Sequence, residues 1–419
     1  MNILLIGNGF DLAHGLPTKY NDFLEFCEVI DKIYSLENID DVKEGDLFHR
    51  DMKMCDTTKR YLLDIFKAKI TEPDKLYIDF YENIHDNIWF HFFKARRNEI
   101  GDNWIDFEKE ILNVINKIEE YESASTMKEC LEKMGTIDGV DRTNKNNIIE
   151  SYLSPLMNRE EIIGIRRGKI SVAEKLVKPL NKLIWALEIY IDKFINTLSF
   201  PEPISEINDL DIDKVLSFNY SQTYKRIYDH DNNKEYCYIH GKADTDHSVD
   251  TCPLVLGINE YLPDDKKDTD LKFLEFKKFF QRIYKNTDNN YQLWVDQIRA
   301  EYIDDCRNHG IQLEKDFDDL RNRAYDDSYF NYEKAQYNKL YIYGHSLDVT
   351  DKDTLRKLIL NNNMETVIFY HKKNEYDKGN LGRLIANLIQ IIGQDELIRR
   401  TSGSNRTIRF VSQKIIYKD

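Results

Sequence analysis

The chain has 419 residues, six cysteines and a formal net charge of −15. That length provides for two or three domains with real cores, and six scattered cysteines without a C-x-x-C pair argue against a disulfide framework or a zinc site and for reduced thiols in the cytoplasm. An acidic balance works against a broad nucleic-acid footprint, and no stretch approaches the roughly eighteen apolar residues that span a bilayer.

Along the chain, the first predicted strand is NILLIG, residues 2–7, which opens without a basic leader. Between 21 and 205 the pattern is helical. NWIDFEKEILNVINKI carries a stripe from Trp104 through Phe107, Ile111 and Ile115 to Ile118, with Asn103 as N-cap. SVAEKLVKPLNKLIWALEIYIDKFINTL opens on a Ser171-x-x-Glu174 capping box and stops before Pro201 and Pro203. Strand patterns resume at KVLSFN (214–219), EYCYIHG (235–241), PLVLGI (253–258), KLYIYG (339–344), TVIFYH (366–371) and TIRFVS (407–412). The polar region between Ile258 and Lys339 reads as helical again, and its basic run Lys272–Lys285 reads as an amphipathic helix with a solvated basic face. Continuously apolar strands indicate a sheet buried on both faces, so the class is α/β, a mostly parallel sheet with large α-helical insertions. The expected boundaries are a core of 1–30, 205–260 and 335–419, with helical insertions at 31–204 and 261–334.

The chemistry gathers at the predicted strand ends. Behind the first strand stands IGNGFDLAHGLPT, where Gly7-Asn8-Gly9 precedes a helical segment. That arrangement turns free backbone N–H groups and a helix N-terminus toward a phosphate, although tight strand-to-helix turns use glycine for conformation alone. Asn219, His240 and the segment GHSLDVTD (344–351) stand behind three further strands. In an open parallel sheet such ends share one crevice. Each has a plainer reading. Asn219 can cap a helix starting near Ser221, and His240 before a glycine can be a turn histidine. Asp11 caps the first helix or touches a ribose, with capping ranked first, and Asp348 shapes a helix start near Asp351. His14 and His345 line the pocket or face solvent. Trp104 and Glu108 are read as a core aromatic and a surface or interdomain charge.

Gly7-x-Gly9, five residues, Gly15-x-Pro17, then F-N219-Y, I-H240-G and G344-H-S346-L resemble, in order and spacing, the motifs of the sirtuins. The combination GNGFD, GLPT, SFNY, YIHG, LGI and YGHSL resembles, more closely and over nearly the whole chain, the AbiH family of bacteriophage abortive-infection proteins. The resemblance implies a Rossmann-like, sirtuin-like core, antiviral defence, and cleavage of NAD between nicotinamide and ribose, with no metal. It implies catalytic roles for Asn219, which orients the ribose or a water, and His240, a base near the ribose hydroxyls. NAD-binding roles fall to Gly7, Asn8, Gly9, Phe10, Asp11, Gly15, Pro17, Gly344 and Ser346. Zinc-dependent deacylation is set aside, because the paired C-x-x-C motifs are missing. Two positions after the Asn, where sirtuins carry an acid, this chain has Ser221, and Lys19-Tyr20 stands near their Phe-Arg. Three readings stay open: an NAD glycohydrolase; a catalytically silent module that senses NAD, ADP-ribose or another nucleotide and relays occupancy to the helical insertion; and, ranked last, insertions that bind a phage or host protein beside a vestigial pocket. A phage-derived trigger and self-association are the partners considered.

Overall fold

The computed structural model describes residues 1–36, 44–101, 105–134, 142–199, 203–244, 246–308, 337–372, 377–403 and 406–414. Trp104, Asn103 and Pro201 lie outside the described residues. The chain divides into two compact units, the first of residues 1–16, 198–242 and 287–419, the second of 17–197 and 243–286.

The first unit is built on six strands, β1 (Asn2–Ile6), β2 (Lys214–Ser217), β3 (Glu235–Tyr238), β4 (Asn338–Tyr343), β5 (Met364–Tyr370) and β6 (Ile408–Ser412), in the order β3-β2-β1-β4-β5-β6. Every pairing is parallel. The apolar run of β1 reflects burial on both faces, since alternate residues of a strand point to opposite sides. Ile3 and Leu5 enter one core cluster with Trp294, Leu340, Leu355 and Leu388, while Leu4 and Ile6 enter another with Phe10, Val215, Tyr224 and Phe369. The helix Tyr291–Asn308 belongs to the first of these clusters through Tyr291, Trp294, Val295 and Ile298. After β3 the chain crosses from the sheet edge to pair β4 with β1, so the order reverses between β1 and β4. Ligands of open parallel sheets bind outside the strand ends at such a reversal.

The second unit is helical, with an aromatic core in which Phe93 and Phe107 stack at 3.9 Å and Tyr20 and Phe107 at 4.1 Å. The segment SVAEKLVKPLNKLIWALEIYIDKFINTL is helical from Ala173, with π turns at Ala173–Val177 and Tyr190–Phe194 flanking the helix Lys178–Ile189. Ser171 Oγ accepts from the Glu174 N–H at 3.4 Å.

Two expectations change here. PLVLGI is no strand of the sheet. It is a largely buried segment of the second unit in which Ile258 bridges Lys277. Its backbone is paired by a side chain, since Leu256 N–H donates to Gln281 Oε1 and Gln281 Nε2 donates to Leu256 O, both at 3.0 Å. Nor does the run Lys272–Lys285 show a solvated basic face. Lys277 and Lys278 are buried and paired with Glu260 and Glu108, each at 2.8 Å, while Phe279, Ile283 and Tyr284 of the helix Lys278–Tyr284 are exposed. Spacing alone could not tell the two faces apart, because the acidic partners are supplied from distant segments. Among the described residues no helix is long and apolar enough to cross a membrane.

Candidate functional site

The glycines of the opening motif are explained by what they touch. The helix α1 (Asn8–Ala13) starts straight after β1 with Gly7 as N-cap, and no side chain caps it. Gly7 N–H donates to Tyr343 O at 3.2 Å, Gly9 N–H to Gly344 O at 2.8 Å and Phe10 N–H to Gly7 O at 2.8 Å. A Cβ on Gly9 would lie 2.8 Å from Gly344 Cα, and one on Gly7 2.8 Å from His345 Cα. Gly344 itself has φ +68°, and its Cβ would fall 2.1 Å from Phe10 N. The close approach these glycines permit is thus between the turn after β1 and the turn after β4. Gly15 has a different reason: with φ +73° and open space where a Cβ would stand, it ends α1 in the left-handed region. Asn8 is the half-buried first residue of α1. Phe10 is core, edge-on to Tyr343 at 5.9 Å. Pro17 falls in the second unit, where its carbonyl accepts from Tyr190 Oη at 2.5 Å.

Asp11 does not cap α1. It is the fourth residue of the helix, 2 % exposed, and its Oδ2 accepts from Ser221 Oγ at 2.6 Å, with Thr223 Oγ1 a further 3.0 Å from that hydroxyl. Asn219 Nδ2 donates to Gly7 O at 3.0 Å, tying the end of β2 to the end of β1. Burial pushes the Asp11 carboxyl from 3.8 up to about 6, against the smaller downward pull of Ser221, Thr223 and Asn219. Its Oδ1 is buried with no hydrogen-bond partner among the described residues. Tyr238, the last residue of β3, has its phenol pushed up by burial and, secondarily, by the Asp11 charge.

A second cluster stands at the ends of β3 and β4. The tight turn closed by Gly241 N–H on Tyr238 O at 3.0 Å, with Gly241 at φ +83°, places His240 beside Asp351, Nε2 to Oδ1 at 3.6 Å. His345 Nε2 lies 3.4 Å from the other carboxylate oxygen. Leu347 N–H donates to His345 Nδ1 at 2.9 Å, so the neutral ring carries its proton on Nε2, toward Asp351. That bond steadies Leu347 at φ +55°, a left-handed conformation of the kind that persists where surroundings over-determine it. Phe218 stands edge-on to both imidazoles, at 5.4 Å from His240 and 4.4 Å from His345. Asp351 closes a 3₁₀ turn at the start of the helix Lys352–Ile359, where the helix dipole favours a carboxylate. The two clusters meet at Gly7, whose carbonyl holds Asn219 and whose Cα faces His345.

Not every predicted residue turns inward. Ser346 is exposed, and its carbonyl accepts from Asn387 Nδ2 at 2.9 Å. His14 is structural: Nδ1–H donates to Phe10 O and Nε2 accepts from Tyr228 Oη, both at 2.8 Å, while burial lowers its pKa. Asp348 accepts from Thr350 N–H at 3.0 Å and so shapes the turn ahead of the helix, in keeping with the sequence pattern. Sequence reasoning missed Asp351 and the part of Ser221 as holder of Asp11. A helix start near Asp351 was legible, but not the direction of its side chain. Among the described residues no three His, Cys, Asp or Glu side chains are placed to share a metal ion.

Parallel strand ends that gather two carboxylates, an amide and two imidazoles at a reversal of strand order define an α/β protein with a buried polar site on its sheet. The chain belongs to the family described as Bacteriophage abortive infection AbiH, which matches residues 3–371. No curated protein and no solved structure matches it.

Proposed function

We propose that this protein binds NAD at the strand ends and hydrolyses it between nicotinamide and ribose, as its part in defence against phage. The observation that carries the reading is the convergence of Asn219, His240, His345, Asp351 and Asp11 outside the carboxyl ends of β1 to β4, where the strand order reverses. The order 3-2-1-4-5-6 is that of Rossmann-like dinucleotide-binding sheets, as is a glycine-rich turn between the first strand and its helix. The side chains present suit a ribose and its leaving base. Asn219 orients the ribose or the attacking water, and His240 takes up a proton, with Asp351 beside Nε2 to balance the charge it gains. Buried donors and acceptors fixed by the strands need little reorganisation, which is where an active site gains most.

A second reading is a silent nucleotide sensor. It is favoured by the Gly7, Gly9 and Phe10 N–H groups, which already donate to Tyr343, Gly344 and Gly7, and by Ser221 where the resemblance implies an acid. Nicotinamide release from NAD by the purified protein, with and without phage-infected lysate, separates the two. Hydrolysis that disappears in Asn219→Ala and His240→Ala, with their melting profiles kept, supports the enzyme. Nucleotide binding without release under any condition supports the sensor.

A further inference from the structure

We infer that Asp11 is a binding residue of this site, its Oδ1 hydrogen-bonding a hydroxyl of the ribose that carries the scissile bond, with Ser221 holding the carboxylate in place. The inference rests on the nucleotide reading above and deepens it by naming the group recognised.

Asp11 offers a buried carboxylate oxygen that meets no hydrogen-bond partner among the described residues. Its Oδ1 is buried and unpartnered among the described residues, although Oδ2 of the same carboxylate is held at 2.6 Å by Ser221. A buried polar atom without a partner is destabilising and rare, so one that persists needs an explanation outside the fold's own bonds. Capping does not supply it, since α1 is capped by no side chain and the Gly9 and Phe10 N–H groups donate to Gly344 and Gly7. Among the described residues the carboxylate is in no ion pair: the partners that act on it, Ser221, Thr223 and Asn219, are neutral. Ser221 stands where the resembling family carries an acid, and the structure brings a carboxylate to it from α1 instead.

Charge and donor capacity define the missing partner. A phosphate beside this carboxylate would meet a like charge, so the group at Oδ1 is no anion and is able to donate. A hydroxyl suits it better than an amide nitrogen. With its carboxyl near 6, Asp11 exists in both protonation states close to neutral pH, and a hydroxyl can donate to the ionised form and accept from the protonated one.

The test compares ADP-ribose with ADP by titration calorimetry, since both share the adenylate and diphosphate and only the first carries the terminal ribose. Neither is cleaved at a nicotinamide bond, so binding alone is read. The wild type is expected to bind ADP-ribose about tenfold or more tightly than ADP, the ratio that one hydrogen bond to a charged group provides. Asp11→Ala is expected to bring the ratio of the two affinities to about one, whereas general damage to the fold would weaken both ligands alike and keep the ratio. Asp11→Asn keeps the volume and an acceptor for Ser221, and carries the same test at pH 7.5 if the alanine variant does not fold. A preference that survives in the variants overturns the inference and leaves the nucleotide reading standing, as does equal wild-type affinity for the two ligands. Binding of neither ligand overturns both.

Discussion

Asp11→Asn makes the buried carboxyl measurable without any ligand. The folded carboxyl titrates at about 6 against 3.8 for an ordinary Asp, chiefly through burial. The folded state therefore holds this proton more tightly than the unfolded chain. Below 3.8 both states are protonated and nothing is lost, stability falls as the pH rises from there to about 6, and above it the loss is complete. A rise of about two units at 1.36 kcal/mol each puts the full loss at about 3 kcal/mol. The group is wholly enclosed, so solvent screening reduces this little. The asparagine variant has no proton to exchange and should show no such window. Urea unfolding of both proteins at pH 4.5, 6 and 7.5, tracked by fluorescence, reads the difference, with Trp294 reporting from the core of the same unit. The stability of the variant relative to wild type should climb across that window and level off above it. Parallel curves for the two proteins, or a gap that narrows toward pH 7.5, would refute the burial argument and with it the claim that Asp11 is held at a cost to the fold.

Three further outcomes are expected. Asp351→Asn removes the charge between His240 and His345, and nicotinamide release should fall about tenfold or more while the melting temperature moves by only a few degrees; full activity would show that the carboxylate does not serve the histidines. Gly344→Ala forces a Cβ to 2.1 Å from Phe10 N at a positive φ, and should destabilise by about 3 kcal/mol or more in urea unfolding, whereas Gly382→Ala, with open space inside the helix Leu381–Ile392, should be neutral or stabilise by about 0.5–1 kcal/mol. Lys278→Met should lose about 3–5 kcal/mol by taking from Glu108 the buried ammonium 2.8 Å away, and Lys278→Met with Glu108→Leu should recover most of it; equal losses in the single and double variants would refute the pairing.

How far the sequence could be read depends on the range of the interaction concerned. The inner strands of the sheet were legible because burial on both faces leaves a continuous apolar run, as in Ile3–Ile6, while the less buried edge strands β3 and β6 showed through their aromatic and β-branched residues; both signals are local. PLVLGI carried the same signal and is no strand, because its neighbour is the side-chain amide of Gln281, twenty-five residues away from Leu256. The basic run failed likewise: Lys277 and Lys278 look solvated until Glu260 and Glu108 are brought to them. At the site, the residue types at strand ends were legible, since Asn219 and His240 fall directly behind β2 and β3. Their relations were not. Asp351 joins two histidines because a 3₁₀ turn aims it there, and Ser221 finds a carboxylate more than two hundred residues away.

The opening glycines serve a contact within the fold. Gly-x-Gly behind a first strand invites a phosphate, yet Gly7 and Gly9 are required by Gly344 and His345, whose own turn needs Gly344 in the left-handed region. This contact positions the chemistry. It sets His345 against Gly7 and leaves the Gly7 carbonyl for Asn219. The glycine turns of β1 and β4 thus act as one joint that holds the amide, the imidazoles and the Asp11 carboxylate at the strand ends, and substitution at any of these three glycines should disturb the whole set together.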